Sequence, residues 1–239
     1  MNKSKEASLD DKLEAWTEKR KERFKNLAVL LIFQSVTQHI LALQSEVVLF
    51  SRACRGDAAA LSRAMSKATA LAGIVGLIAN QIGGKLSDTI GRKPFLALGP
   101  AFNIMMNCVL LMNSDSLPLL IAHRILKSTM VTFSGSVMVG AAASDALMQV
   151  ERPSLAMRQQ AAAGVAVTLA PYLESLVLKL SKGNPLSPYR LMVVIEVIQL
   201  LTLSLLPETL SSVKRAALGN VFQFFASLNP FRFLKVYMS

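Results

Sequence analysis

Cysteine, histidine and tryptophan are scarce in this chain: two, two and one among 239 residues. Cys54 stands in a polar stretch and Cys108 inside an apolar run, so no disulfide framework is expected. With only two histidines beside them, no metal-ligand spacing exists either. No metal and no cofactor are therefore expected. Charge is also scarce. Charged residues make up 17% of the chain, below the roughly 25% of soluble domains. Acidic residues are the rarer sign, 15 against 26 Lys and Arg, for a net charge of +11. A nucleic-acid partner would need those basic residues on one solvated patch, with aromatics among them. Aromatics are only 6% of the chain, and the basic residues fall between apolar segments, so no nucleic-acid partner is expected. There is no Gly-rich phosphate loop, no HExxH and no nucleophile–base set. The expectation is a protein that is not an enzyme.

What the chain does have is apolar length. Hydrophobic residues reach 52% and the mean hydropathy is +0.43. A spanning helix needs about 20 mainly apolar residues, and six windows meet or approach that. They are Leu27–Ser45, Ala68–Gly84, Pro94–Asn113, Leu117–Ala142, Gln159–Leu180 and Leu191–Leu206. The first is the least clean, being interrupted by Gln34, Gln38, His39 and Gln44. The third carries no charge after Pro94. It therefore lacks the solvated stripe that a soluble amphipathic helix, the competing reading, would show. The expected fold class is an all-α integral membrane protein of six transmembrane helices, with the lipid bilayer as first partner. Its expected parts are a cytoplasmic N-terminal tail (1–26), the six-helix domain (27–210) and a cytoplasmic or interfacial C-terminal tail (211–239). The N-terminal tail is too acidic for a transit peptide and has no apolar core of its own.

Loop charge sets orientation. If the N-terminus is cytoplasmic, the inner segments outnumber the outer ones in Lys and Arg by more than two to one. Both termini are thus expected inside; which membrane is not encoded. Arg52, Arg55, Arg63 and Lys67 fall outside and could form an amphipathic extension of the first two helices. In the C-terminal tail Phe222, Phe225, Leu228, Phe231 and Leu234 mostly fall three or four residues apart. That spacing fits either an interfacial helix broken at Pro230 or a disordered tail.

Between the second and third windows the chain reads Gly84-Lys85-Leu86-Ser87-Asp88-Thr89-Ile90-Gly91-Arg92-Lys93. By physical reasoning alone, Gly84 ends a helix, and Gly91 permits a turn that a Cβ would hinder. Asp88 sits where a carboxylate can cap a helix or pair with Arg92. Arg92 and Lys93 hold the loop on the positive side. A plain positive-inside hairpin is the simpler alternative.

This stretch resembles the loop signature of the major facilitator superfamily, with every defining position present: Gly84, Asp88, Gly91, Arg92 and Lys93. Ser144-Asp145, Glu151-Arg152, Leu206-Pro207-Glu208-Thr209-Leu210 and Asn229-Pro230-Phe231 resemble further stretches of that family. The resemblance implies the N-terminal six-helix half of such a transporter, and Asp145 as the partner of Arg92. It implies transmembrane transport of a small solute, with a second copy of the chain (a homodimer) or a second half-transporter chain supplying the other wall. The alternatives are a non-transporting membrane scaffold or regulator, and a fragment of a longer transporter. Two patterns of the drug-transporting branches are eroded. Arg124 alone survives of the fourth-helix motif, and Pro171 alone of the fifth-helix antiporter motif.

Ionisable and polar residues inside spans are costly and mark sites by default. Gln38, His39, Arg124, Lys127, Glu174 and Glu196 form the candidate polar cavity, with Arg124 expected to pair with Glu174 or Glu196. Snorkelling to the headgroups is the competing use of the two cations. Gly73, Gly76, Gly135 and Gly140 are expected to serve close helix packing.

Overall fold

The computed structural model describes residues 18–209. The expected N-terminal tail, for the most part, and the aromatic C-terminal stretch lie outside the described residues. Those that are described form eight helices and no strand: α1 Glu18–Ile40, α2 Leu43–Ala53, α3 Ala58–Ile90, α4 Arg92–Met112, α5 Leu117–Ser134, α6 Ser136–Ala146, α7 Arg152–Leu180 and α8 Ser187–Leu205.

Five stretches are long and apolar enough to cross a membrane: Glu18–Ala53, Ala58–Asn80, Arg92–Met112, Arg152–Leu180 and Ser187–Leu205. The described residues are thus all helical, with the apolar spans of a multi-pass membrane protein. The first window is not one straight helix. It breaks after Ile40, where Ala42 takes a left-handed φ of 74°. The fourth window also divides, into α5 and α6 at Gly135.

The helix ends follow local chemistry. Pro118, Pro153 and Pro188 stand in the first turns of α5, α7 and α8, where a missing N–H costs nothing. Asp57 caps α3 by accepting from the Ala59 and Ala60 backbone N–H groups. Gly84 does not end the second span. α3 runs on to Ile90, and Gly91, at φ 117° and ψ 152°, makes the stop. Only glycine reaches that conformation without strain. The glycine expectation also needs correcting. A Cβ on Gly73, Gly76 or Gly140 would meet nothing within 4 Å, so these three do not serve close packing. Close approach belongs instead to Gly83, under the Phe133 ring, and to Gly135.

α1 packs along α7 and α8, α4 along α8, and α5 lies between α3 and α4. Side chains between these helices form two apolar cores. One gathers Phe24, Ala28, Leu31, Phe95, Met138, Leu155 and Leu203. The other gathers Leu41, Leu49, Phe50, Leu110, Leu120, Tyr189 and Met192. On α1, α4 and α8 the buried polar residues fall between the two: Gln34 and Gln38, Asn103 and Asn107, Glu196 and Gln199. The molecule therefore carries a polar belt at mid-depth, with an apolar core above and below.

Candidate functional site

The break in the first span organises the belt. A helix start leaves backbone N–H groups unpaired, and a helix end leaves carbonyls unpaired. At the start of α2, Glu174 of α7 supplies the acceptor. Its Oε1 takes the Ser45 N–H and the Ser45 hydroxyl, each at 2.8 Å, and its Oε2 takes the Gln44 N–H at 3.3 Å. At the end of α1, Lys127 Nζ donates to the Leu41 carbonyl at 3.3 Å. A carboxylate thus faces a helix N-terminus and an ammonium a C-terminus, each the sign that the helix dipole favours. Both side chains are buried.

Beside the break is a cavity of about 310 Å³ lined by His39, Glu46, Thr69, Arg124, Lys127 and Ser128, with Leu43, Ala72 and Gly73. Arg124 Nη1 donates to Glu46 Oε1 at 2.7 Å. Its Nε and Nη2 both reach Thr69 Oγ1, at 3.3 and 3.1 Å. The expected pairing of Arg124 with Glu174 or Glu196 is therefore not the arrangement seen. Glu174 is occupied by the α2 backbone, and Glu196 by Asn107. Glu46 is the carboxylate that the sequence reading missed. Its signal was present: Val47 to Phe50 continue the apolar run past the polar Gln44-Ser45 pair.

The structure divides the six predicted residues among three places. His39, Arg124 and Lys127 line the cavity. Gln38 and Glu196 face a second polar seam, and Glu174 serves the helix break. In the seam Gln34 Nε2 donates to Thr202 Oγ1 at 3.3 Å, and Gln38 Nε2 to Gln199 Oε1 at 2.8 Å. Asn107 Nδ2 serves both Glu196 oxygens, at 3.1 and 3.0 Å. His123 Nε2 lies 2.8 Å from Asn107 Oδ1, and its ring meets Tyr189 edge-on. Among the described residues no three His, Cys, Asp or Glu gather as a metal site would need.

The signature loop forms a latch at one rim. Arg92 pairs with Asp88 one turn back and donates to Ser87 Oγ. Its Nε donates to Asp145 Oδ2 of α6 at 2.9 Å, the partner that the resemblance implies. Glu208, just past α8, accepts the first backbone N–H groups of α4, Arg92 at 3.2 Å and Lys93 at 3.3 Å. Lys93 Nζ returns to the Ser204 carbonyl at 2.7 Å, at the negative end of α8. At the same rim Glu151 accepts from Lys25 Nζ at 3.0 Å and from the Met148 N–H at 3.1 Å. The Lys25 bond first, then the Met148 bond, hold its carboxyl below the usual carboxylate range.

No family profile and no curated protein matches the sequence. Among solved structures the fold is similar to that of the human organic anion transporter MFSD10 (TETRAN), at 18% identity and a TM-score of 0.64. The match covers 82% of this chain and 50% of that one, so the chain spans about half the length of the structure it matches. A polar belt, a broken first span and a latch at one rim are thus set on a helical fold similar to that of this solved structure.

Proposed function

We propose that the chain forms a six-helix wall of a facilitator-type transporter, and that its solute is a small anion. One observation carries the second part. The cavity holds two cations and one carboxylate, and Glu46 is committed to Arg124. Lys127 donates only to a backbone carbonyl and has no ion-pair partner among the described residues. A buried ammonium without a counter-charge is costly, and an anion in the cavity would relieve that cost. The similar fold is that of an organic anion transporter, which favours the same reading. Six spans follow if α1 with α2 counts as the first and α5 with α6 as the fourth. The loop charges then set both termini inside.

Facilitator-type transport binds solute at the midplane between two helical repeats that rock about it. One set of six helices offers one wall; a second set, from a second copy or another polypeptide, supplies the other. The test is uptake into proteoliposomes of labelled monocarboxylates, dicarboxylates and phosphate, with neutral sugars and organic cations as comparison. Anion uptake is expected, lost at least tenfold in Lys127→Gln. Preference for cations, or uptake indifferent to that substitution, defeats the anion reading. Folded protein that moves none of these solutes returns the scaffold reading.

A further inference from the structure

Three carboxylates are buried in the belt, and two have the donors that a charge requires. Glu46 has the Arg124 guanidinium. Glu174 has two backbone N–H groups, a hydroxyl and a helix start. Glu196 has far less. It is 0% exposed, and one neutral amide, Asn107 Nδ2, serves both its oxygens. Among the described residues it forms no ion pair.

Taking an ionised carboxylate out of water is costly, and one neutral hydrogen bond returns only a small part of that cost. The neutral acid avoids the larger cost while still accepting from Asn107. We infer that Glu196 is a proton-binding site, a carboxyl that carries its proton in this conformation. The step is simple protonation: a carboxylate oxygen takes a proton from water, one O–H bond forms, and no bond within the protein breaks.

The groups around the site fit that role. α4 presents the uncharged Asn107, and α1 presents Gln38, reached through Gln199. α5 presents His123, behind Asn107; one turn further Lys127 donates to the Leu41 carbonyl and forms no ion pair with Glu196 among the described residues. α8 itself presents Gln199 and, two turns back, Tyr189 against the His123 ring. On the latch side of Glu196, two buried polar atoms lack partners: Gln199 Nε2, a donor, and Gln34 Oε1, an acceptor. Each would be satisfied by water, so this seam is the side from which the proton exchanges.

The site needs no anion transport in order to exist, so the two proposals fail separately. Infrared spectroscopy of the protein in nanodiscs at neutral pH tests it. A carboxylic-acid carbonyl band is expected in the wild type, absent from Glu196→Gln and retained in Glu174→Gln. Glu196→Gln should also melt at the wild-type temperature, because an amide replaces the neutral acid in shape. If Glu196→Gln does not fold, Glu196→Asp should shift the band. No acid band in the wild type, or a band that follows Glu174, overturns the assignment. So does thermal stabilisation by sodium over choline that Glu196→Gln abolishes, because a bound cation requires the ionised form.

Discussion

Glu174 shows how much one side chain can do where a helix starts inside an apolar stretch. Its carboxylate replaces the donors' missing partners at three atoms. Glu174→Ala is expected to cost about 2–3 kcal/mol, from the lost cap and the orphaned N–H groups. Glu174→Gln should cost less, because one amide oxygen still accepts. Thermal denaturation in detergent, with a fluorescent thiol probe on buried Cys54, reads both. Glu151 carries a pH signature outside the bilayer. Its folded value lies below the ordinary 4.5, so its stabilisation is full above that pH and fades as pH falls through the folded value. Glu151→Gln should flatten the acid limb of the melting curve and leave neutral pH behaviour almost as it was. At this scale the sequence was informative about residue types. Gln38, Lys127, Glu174 and Glu196 make hydrogen bonds in the seam or at the break, and His39 and Arg124 line the cavity. Partners were less legible. Arg124 has three buried carboxylates available across the belt, and only the break at Ala42 decides that Glu174 turns to the backbone while Glu46 meets the guanidinium.

At the scale of elements, spans were readable from apolar length and breaks were not. Leu27–Ser45 and Leu117–Ala142 read as continuous because hydropathy is indifferent to φ. Ala42 has no side-chain signature for a left-handed turn; Glu174 and Lys127, remote in sequence, hold it there. Gly135 was visible, and its close approach is to the backbone of its own chain four residues back, not to a neighbouring helix. A Cβ there would stand 2.5 Å from the Val131 carbonyl oxygen, so the backbone must move to admit one. Gly135→Ala is expected to cost about 1–3 kcal/mol. Gly140→Ala, with nothing within 4 Å, should stay within about 0.5 kcal/mol of wild type. Equal melting shifts for the two would refute this account of the α5–α6 break. The end of α3 was misplaced for a related reason. Of two glycines near the signature, Gly84 and Gly91, only the second has a conformation that demands glycine.

At the scale of the molecule, the buried polar groups come from residues that look unrelated along the chain. Gln34, Asn107, Lys127, Glu174 and Glu196 lie on five different helices. They come near one another because α8 packs against both α1 and α4, α7 against α1, and α5 against α4. Topology is testable at this scale. In a Cys54→Ala, Cys108→Ala background, a cysteine at Gly56 and one at Met148 should react with an impermeant maleimide from opposite sides of sealed vesicles. In right-side-out vesicles Gly56→Cys should label first, with Met148→Cys silent until the membrane is opened. The reverse pattern would invert the proposed orientation. Labelling of both from one side would remove a span between them.

The latch has a mechanical meaning. Arg92, Lys93 and Glu208 bind the ends of α3, α4, α6 and α8 together at one rim. The described ion pairs include none that ties α4 to α8 at the far rim. Helices hooped at one end behave as staves, and a tilt becomes displacement in proportion to distance from the hoop. α4 has 21 residues, a lever of about 30 Å, so a tilt of about 10° moves its free end by about 5 Å. The span broken at Ala42 has its second piece on that travelling side.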